Sequence, residues 1–264
     1  MNVCETYDFI VIGGGSAGYA AARTANELGA KVAVVDDAEE LGGLCILRGC
    51  MPSKTLIYSS EILHFARQGK VFGFEDSRPR ADLALMQRRK KEIIAEFADY
   101  RTAQLKDGRF SLYRSKAKFV DQSSIEFTDG KTIKGDRFVL ATGSQIAMPP
   151  VPGLDQVSFK TSDEVLELTE VPNEVVVLGG GIVACELAQF LQRVGSKVTL
   201  LQRSEGILRD FPQRASDCIR NKFTEEGMIV KTGVSIEGME EARDQTIRVV
   251  YRHKGVKESI DTQF

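Results

Sequence analysis

No stretch of this 264-residue sequence is apolar for long enough to span a bilayer. Nothing basic precedes the first apolar run, and that run ends in glycines, so the N-terminus does not read as a signal peptide. Charge of one sign is lacking too. A net charge of −2 and a pI near 5.9 give no reason to expect nucleic acid or an anionic membrane as partner. The basic run Arg88–Lys91 is followed by acids at helical spacing and reads as a solvated helix face. Histidine occurs only at His64 and His253, and neither is spaced to complete a metal site with cysteine. The five cysteines are too irregularly spaced for a secreted disulfide framework. A cytoplasmic location is therefore expected, where a close cysteine pair is more often catalytic or metal-binding than structural.

The length suits one large or two ordinary domains of about 150 residues each. An internal repeat decides between them. The apolar strand Asp8–Ile12 runs into Gly13-Gly14-Gly15-Ser16-Ala17-Gly18, an alanine-rich helix follows from Tyr19 to Leu28, and Lys31–Val35 reads as the next strand. Later, Val175–Leu178 runs into Gly179-Gly180-Gly181-Ile182-Val183-Ala184, a helix extends through Arg193, and Lys197–Leu201 is strand-like. Gly13 to Gly29 and Gly179 to Gly195 are both 16 residues apart, and Gly13 to Asp36 and Gly179 to Gln202 are both 23. One glycine fingerprint is weak evidence; two, each after a strand and before a helix, point to two dinucleotide-binding βαβ units.

The glycines have distinct tasks. Gly13 and Gly179 permit the tight turn, Gly15 and Gly181 admit a pyrophosphate, and Gly18 or Ala184 lets helix and strand pack closely. The phosphate charge would rest on unpaired N–H groups at the helix N-terminus. Asp36, with Asp37 beside it, stands where an acid would bind both ribose hydroxyls of an adenosine lacking a 2′-phosphate. The second copy instead has Gln202 and Arg203, with Arg209 six residues on. An acid repels a 2′-phosphate and guanidiniums bind one. The first unit thus reads as FAD-binding and the second as favouring NADPH over NADH.

Between the units lies Leu41–Lys54, LGGLCILRGCMPSK, with Cys45 and Cys50 five positions apart. On an ideal helix that is a rise of roughly 7.5 Å, beyond the usual disulfide Cα separation of about 4.4–6.8 Å. Bridging the two would need a distorted turn, which Gly49 would ease. Inert buried thiols are the alternative, although they leave the surrounding glycines and proline unexplained.

The segment resembles the active-site segment of the class I pyridine nucleotide–disulfide oxidoreductases, the group of glutathione reductase, dihydrolipoamide dehydrogenase and mercuric reductase. The order of FAD fingerprint, cysteine pair, Ala141-Thr142-Gly143-Ser144 and second fingerprint is similar to that family along essentially the whole chain. Gly179–Arg203 looks most like mercuric reductase. The resemblance implies an α/β fold of two Rossmann-like domains, an FAD-binding domain over residues 1–147 and an NAD(P)-binding domain over 148–264. It also implies that the family's C-terminal dimerisation domain, with its His–Glu acid–base pair, lies outside this chain, and that the full-length parent is a homodimer. By the same carry-over Cys45 is the interchange thiol, Cys50 the charge-transfer thiol beside the flavin, and Lys54 the residue near flavin N5, paired with Glu186. Gly43, Leu44, Ala117, Ala141, Thr142 and Gly143 would line FAD; Ile182 and Val183 would join Glu186 at the nicotinamide. The implied reaction carries electrons from NADPH through FAD to a Cys45–Cys50 disulfide and on to a small disulfide or a metal ion, with no resident metal.

Some positions depart from the pattern. Leu44 replaces a threonine, Ile46-Leu47-Arg48 is atypical, and Ile182 takes the place of a tyrosine lid. The missing C-terminal part leaves a truncated fragment that binds nucleotide without turnover as a second reading, and a flavoenzyme without a redox disulfide is a third. Elsewhere, Ser53–Arg67 and the amphipathic Asp82–Lys106 read as helices, Arg109–Ala141 as short strands and Met148–Gly153 as a link. The chain is strand-like again from Ile229. Cys4, Cys185 and Cys218 read as free thiols.

Overall fold

The computed structural model describes residues 5–75, 78–243 and 246–264; Cys4 lies outside them. By its internal contacts the chain divides into two compact units. One comprises residues 1–52 and 90–145, the other 53–89 and 146–264. The stretch 53–89 thus groups with the second fingerprint.

In the first unit, β1 (Glu5–Ile12) leads into α1 (Ser16–Glu27) and β2 (Val32–Val35). After α2 (Gly43–Leu47), the opening of α3 (Cys50–Arg67) and the end of α4 (Leu83–Lys106), the chain forms β3 (Ser111–Tyr113), β4 (Ala117–Phe119), β5 (Ser124–Phe127) and β6 (Thr132–Leu140). These make one sheet of order β3-β2-β1-β6-β5-β4. The β1, β2, β3 and β6 pairings are parallel, and β4-β5-β6 is antiparallel. Alternation along the strands sends side chains to opposite faces. Val11, Val32 and Val34 pack with Tyr19, Ala22, Leu105 and Phe110, while Ile10, Ala33 and Val35 pack with Ile125, Phe127 and Ile133. A strand buried on both faces needs a continuous apolar run, which VAVV supplies.

The second unit repeats the plan. β7 (Glu174–Leu178), α6 (Ile182–Val194) and β8 (Lys197–Gln202) follow the short α5 (Ser162–Val165). Then come α7 (Gln213–Glu225), β9 (Ile229–Thr232) and the antiparallel strands β10 (Val234–Glu241), β11 (Ile247–His253) and β12 (Val256–Thr262). The parallel sheet has the order β7-β8-β9, and the antiparallel one β10-β11-β12. Ala188, Leu191, Val198 and Leu200 are among the core residues here, together with Leu56 of α3. An apolar cavity of about 350 Å³ borders β7, lined in part by Val175, Val177, Leu187, Leu191 and Phe264.

Helix α1 begins at Ser16, ahead of the Tyr19 start expected from sequence, and so includes Gly18. Glycine lowers helix propensity, which masks the first turn in the sequence; the close packing described below is what retains it. Helix α3 likewise begins at Cys50, ahead of Ser53, with Pro52 tolerated in its first turn because the N–H it lacks has no intrahelical acceptor there. Helix α7 is an element that the sequence patterning above does not reveal. Among the described residues, no helix is long and apolar enough to cross a membrane.

Candidate active site

The first fingerprint turn is a tightly closed piece of backbone. Gly13 has φ of +103° and its N–H donates to Val35 O at 2.7 Å. A Cβ at Gly13 would lie 2.2 Å from Ala141 O, and one at Gly18 only 1.7 Å from Gly13 O. Gly15 caps α1 in an extended conformation without a side-chain hydrogen bond. The opening N–H groups of α1 are left for a ligand, with Ser16 and Ala17 exposed beside them. Asp36 closes the turn from the end of β2, accepting from Gly14 N–H at 2.6 Å and Ala38 N–H at 2.9 Å. Asp37 is exposed.

Sequence reading misses Arg114, whose guanidinium lies 3.9 Å from the Asp36 carboxylate and donates to the carbonyls of Ala38 and Glu39. Only the parallel pairing of β3 beside β2 brings it there. Thr142 and Gly143 follow Ala141 after β6 and are exposed, so they lie next to the Gly13 turn along the chain's path. Ala117 opens β4 at the far edge of the sheet, apart from this turn.

The cysteine segment rests directly on the turn. Gly43 has φ of +70°, and a Cβ there would stand 2.5 Å from Gly15 Cα. Helix α2 stops at Leu47, Arg48 departs from helical angles at φ −140°, and α3 starts at Cys50. A Cβ on Gly49 would sit 2.9 Å from Leu44 O, so glycine is what allows the break. Cys45 is half-buried and Cys50 exposed, and both are thiols. Leu44 is 41% exposed. These glycine contacts leave a backbone cradle with free helix N–H groups, which fits the diphosphate of FAD. Gly13, Gly15, Ser16, Ala17, Gly18, Asp36 and Gly43 would hold it.

In the second unit Gly179 has φ of +118°, and Gly181 caps α6 with no atom within 4 Å of a built Cβ. Ile182 and Val183 are more than half exposed at the head of α6. Lys54 Nζ donates to Glu186 Oε2 at 2.6 Å across 132 residues of sequence. At the end of β8, Gln202 donates its amide to Ser204 Oγ, so it is turned differently from Asp36 in the first unit. Arg203 is exposed, and Arg209 is 67% exposed with Asp210 at 3.6 Å. Burial and the charge of Glu186 push Cys185 up to about 11, so this thiol is inert at neutral pH.

A buried network ties three helices of this unit. Arg193 grips Glu226 with two bonds of 2.7 and 2.8 Å, Gln189 donates to the same carboxylate, and His64 stands 3.8 Å away. Burial pushes Glu226 up, but the hydrogen bonds and charge of Arg193 outweigh it and hold the carboxyl below its ordinary value. Burial lowers His64. Among the described residues, no cluster of three or more His, Cys, Asp or Glu side chains is placed to hold a metal ion.

Comparison with known proteins gives a consistent picture. The family model described as pyridine nucleotide-disulphide oxidoreductase matches residues 7–263. A mercuric reductase from Bacillus cereus is 38% identical over 90% of this chain and 38% of its own. A dihydrolipoyl dehydrogenase from Chlamydia muridarum is 32% identical over 91% of this chain and 52% of its own. The fold is similar to a Cu(II) complex of a cysteine-to-serine mutant of the HOCl-induced flavoprotein disulfide reductase RclA from Escherichia coli. The TM-score is 0.81 at 23% identity, covering 98% of this chain and 55% of that one. The chain thus spans about half, or less, of the length of these relatives.

Proposed function

The chain belongs to the pyridine nucleotide–disulphide oxidoreductase family, and on that premise we propose that it carries electrons from NADPH through FAD to a Cys45–Cys50 redox disulfide. From there they pass to a small disulfide or a metal-ion substrate. The observation that carries this reading is the seating of the cysteine segment on the first fingerprint, Gly43 against Gly15. A phosphate-cradling turn and a cysteine pair then belong to one local structure.

FAD, when bound, supplies the two-electron relay between the nicotinamide and the disulfide. The protein's residues do the rest. Gly13–Gly18 and Asp36 bind the adenosine diphosphate portion, and Gly43, Leu44, Ala117, Ala141, Thr142 and Gly143 complete the surroundings. Gly179, Gly181, Ile182 and Val183 receive the nicotinamide nucleotide. Arg203 and Arg209 favour its 2′-phosphate over the plain ribose of NADH, and Gln202 removes the acid that would repel it. Lys54, oriented by Glu186, supplies a fixed positive charge one helical turn from Cys50. The N-terminal position of Cys50 on an 18-residue helix also favours negative charge on its sulfur.

The chemistry balances as two exchanges. The hydride of NADPH, as two electrons and one proton, and a second proton from water open the Cys45–Cys50 disulfide to a dithiol and leave NADP⁺. The Cys45 thiolate then attacks one sulfur of a substrate disulfide and releases the first product thiol. The Cys50 thiolate attacks Cys45 Sγ, releases the second and restores the disulfide. Residues 1–147 act as the FAD-binding domain and 148–264 as the NAD(P)-binding domain of a cytoplasmic protein that works as a homodimer.

The 38–52% coverage of the relatives favours one alternative, that these 264 residues bind nucleotide without turnover. Anaerobic titration of the purified chain with NADPH, followed in the visible spectrum, tests both. A flavin spectrum that gains a long-wavelength thiolate-to-flavin band upholds the proposal. A flavin spectrum that NADPH leaves unchanged upholds the alternative, and a colourless chain, even with added FAD, overturns both.

A further inference from the structure

The loop that follows β8 holds a backbone outlier. Among the described residues, Leu208 and Lys254 are the non-glycine residues at positive φ, each at +51°. Lys254 is explained by its place with Gly255 in the two-residue turn between β11 and β12, where such angles are usual. Leu208 lies in no hairpin, and a bulky side chain makes the left-handed conformation costly. Such a conformation persists only where the surroundings over-determine it.

The peptide between Ile207 and Leu208 is held from both sides. Its carbonyl accepts from the buried Ser216 Oγ of α7 at 2.6 Å, and its N–H donates to Gly180 O of the second fingerprint at 2.7 Å. The carbonyl and N–H of a trans peptide point opposite ways in one plane, so these two bonds fix the orientation of the whole unit. Ile207 is fully buried, and Leu208 packs against the same core. Ile207 and Gln202 also crowd Gly180, where a built Cβ would stand 2.9 Å from Ile207 Cγ2 and 3.1 Å from Gln202 Cγ. From this clamp the chain turns at once. Phe211 N–H donates to Leu208 O at 2.9 Å, which makes Arg209 the second residue of a four-residue turn. Arg203 and Arg209 thus each adjoin a residue that lies against Gly180, Gln202 in one case and Leu208 in the other.

We propose that Leu208 and Ser216 are positioning residues for nucleotide selection. Together they set the direction in which the chain leaves Gly180, and so hold Arg209 where the 2′-phosphate of NADPH is read. The proposal rests on the reading of Arg203 and Arg209 as the 2′-phosphate site, and it says what fixes one of them. A guanidinium on a pinned turn loses little freedom on binding an anion, whereas one on a free loop must be ordered at that moment. The present partner of Arg209 is Asp210 at 3.6 Å, itself 86% exposed. A surface pair of this kind contributes little, so a phosphate displaces it.

The test titrates the full chain, kept in excess FAD so that the first fingerprint is filled, with NADP⁺ and NAD⁺ by calorimetry. These oxidised nucleotides differ only in the 2′-phosphate and leave the flavin oxidised. Leu208→Pro, which removes the N–H and forbids positive φ, should lower the NADP⁺-to-NAD⁺ affinity ratio about tenfold. Leu208→Asn keeps the N–H and tolerates the left-handed conformation, so its ratio should stay within about twofold of the parent. Ser216→Ala, which removes one of the two bonds to the peptide, should lower the ratio about threefold. NAD⁺ affinity, which needs the fingerprint turn but not the arginines, should hold in all three. A proline variant with the parent's ratio, an asparagine variant that falls with it, or a Ser216→Ala ratio equal to the parent's overturns the proposal. Should Leu208→Pro also lose NAD⁺, its fold has gone and the other two variants decide. Arg209→Ala separates the underlying reading, because a ratio unchanged in that variant refutes Arg209 as part of the 2′-phosphate site.

Discussion

Adding one methyl group separates the two fingerprints. In Gly18→Ala the new Cβ would start 1.7 Å from Gly13 O and 2.9 Å from Gly13 C, both backbone atoms. The turn must move by more than about 1 Å for an ordinary contact, and overpacking of this kind costs about 1–3 kcal/mol, occasionally more. The turn is also fixed from outside, by the Gly13 bond to Val35 and the Gly14 bond to Asp36. It cannot yield without loosening the end of β2. Gly181→Ala is the matched control. Its φ of −78° is open to any residue and nothing lies within 4 Å. The stability change there should stay within about 1 kcal/mol, the scale of a helix-cap exchange. The methyl group would nevertheless occupy the approach of the pyrophosphate, so nucleotide affinity should fall at least tenfold, or about 1.4 kcal/mol. Urea unfolding by circular dichroism reads the first effect, and nucleotide titration by fluorescence the second. A Gly18→Ala chain as stable as its parent, with FAD affinity intact, would refute the packing argument.

The remaining predictions concern charged groups. Lys54→Met and Glu186→Gln should each change stability by less than about 1 kcal/mol, since the pair is 58% and 34% exposed, yet abolish the NADPH-induced long-wavelength band. Arg193→Met should cost about 3–5 kcal/mol in urea unfolding, because it strands the 5%-exposed Glu226 carboxylate without its partner. Glu226 itself is held below its ordinary carboxyl range, so its contribution is complete above that range and disappears as pH falls through the folded value. Burial lowers His64, so the folded chain resists its protonation; stability is full above pH 6.5 and declines as pH drops, and His64→Gln should remove that part of the pH profile. Arg203→Ala should weaken NADPH binding about tenfold or more and leave NADH binding unchanged, as read by competitive titration.

Local rules determine the two βαβ units. Two spacings of 16 and 23 residues repeat, and glycine is demanded at Gly13, Gly43 and Gly179, where φ reaches +103°, +70° and +118°. Such constraints act within a few residues, so the sequence displays them directly. The cysteine break is legible for the same reason, since Gly49 lies beside the Leu44 carbonyl it must clear. The pairing of Lys54 with Glu186 is legible through family resemblance, not through spacing. What tertiary structure alone decided joins residues far apart in the chain. The grouping of residues 53–89 with the second fingerprint depends on which apolar faces Leu56 and Leu83 find. Arg114 meets Asp36 only because β3 pairs with β2. Arg193 and Gln189 of α6 and His64 of α3 converge on Glu226, and Arg101 reaches Tyr19 from a distant part of the chain. A lone Arg or Glu carries no periodic signature, and its partner is chosen by packing, which the sequence encodes only through the whole fold.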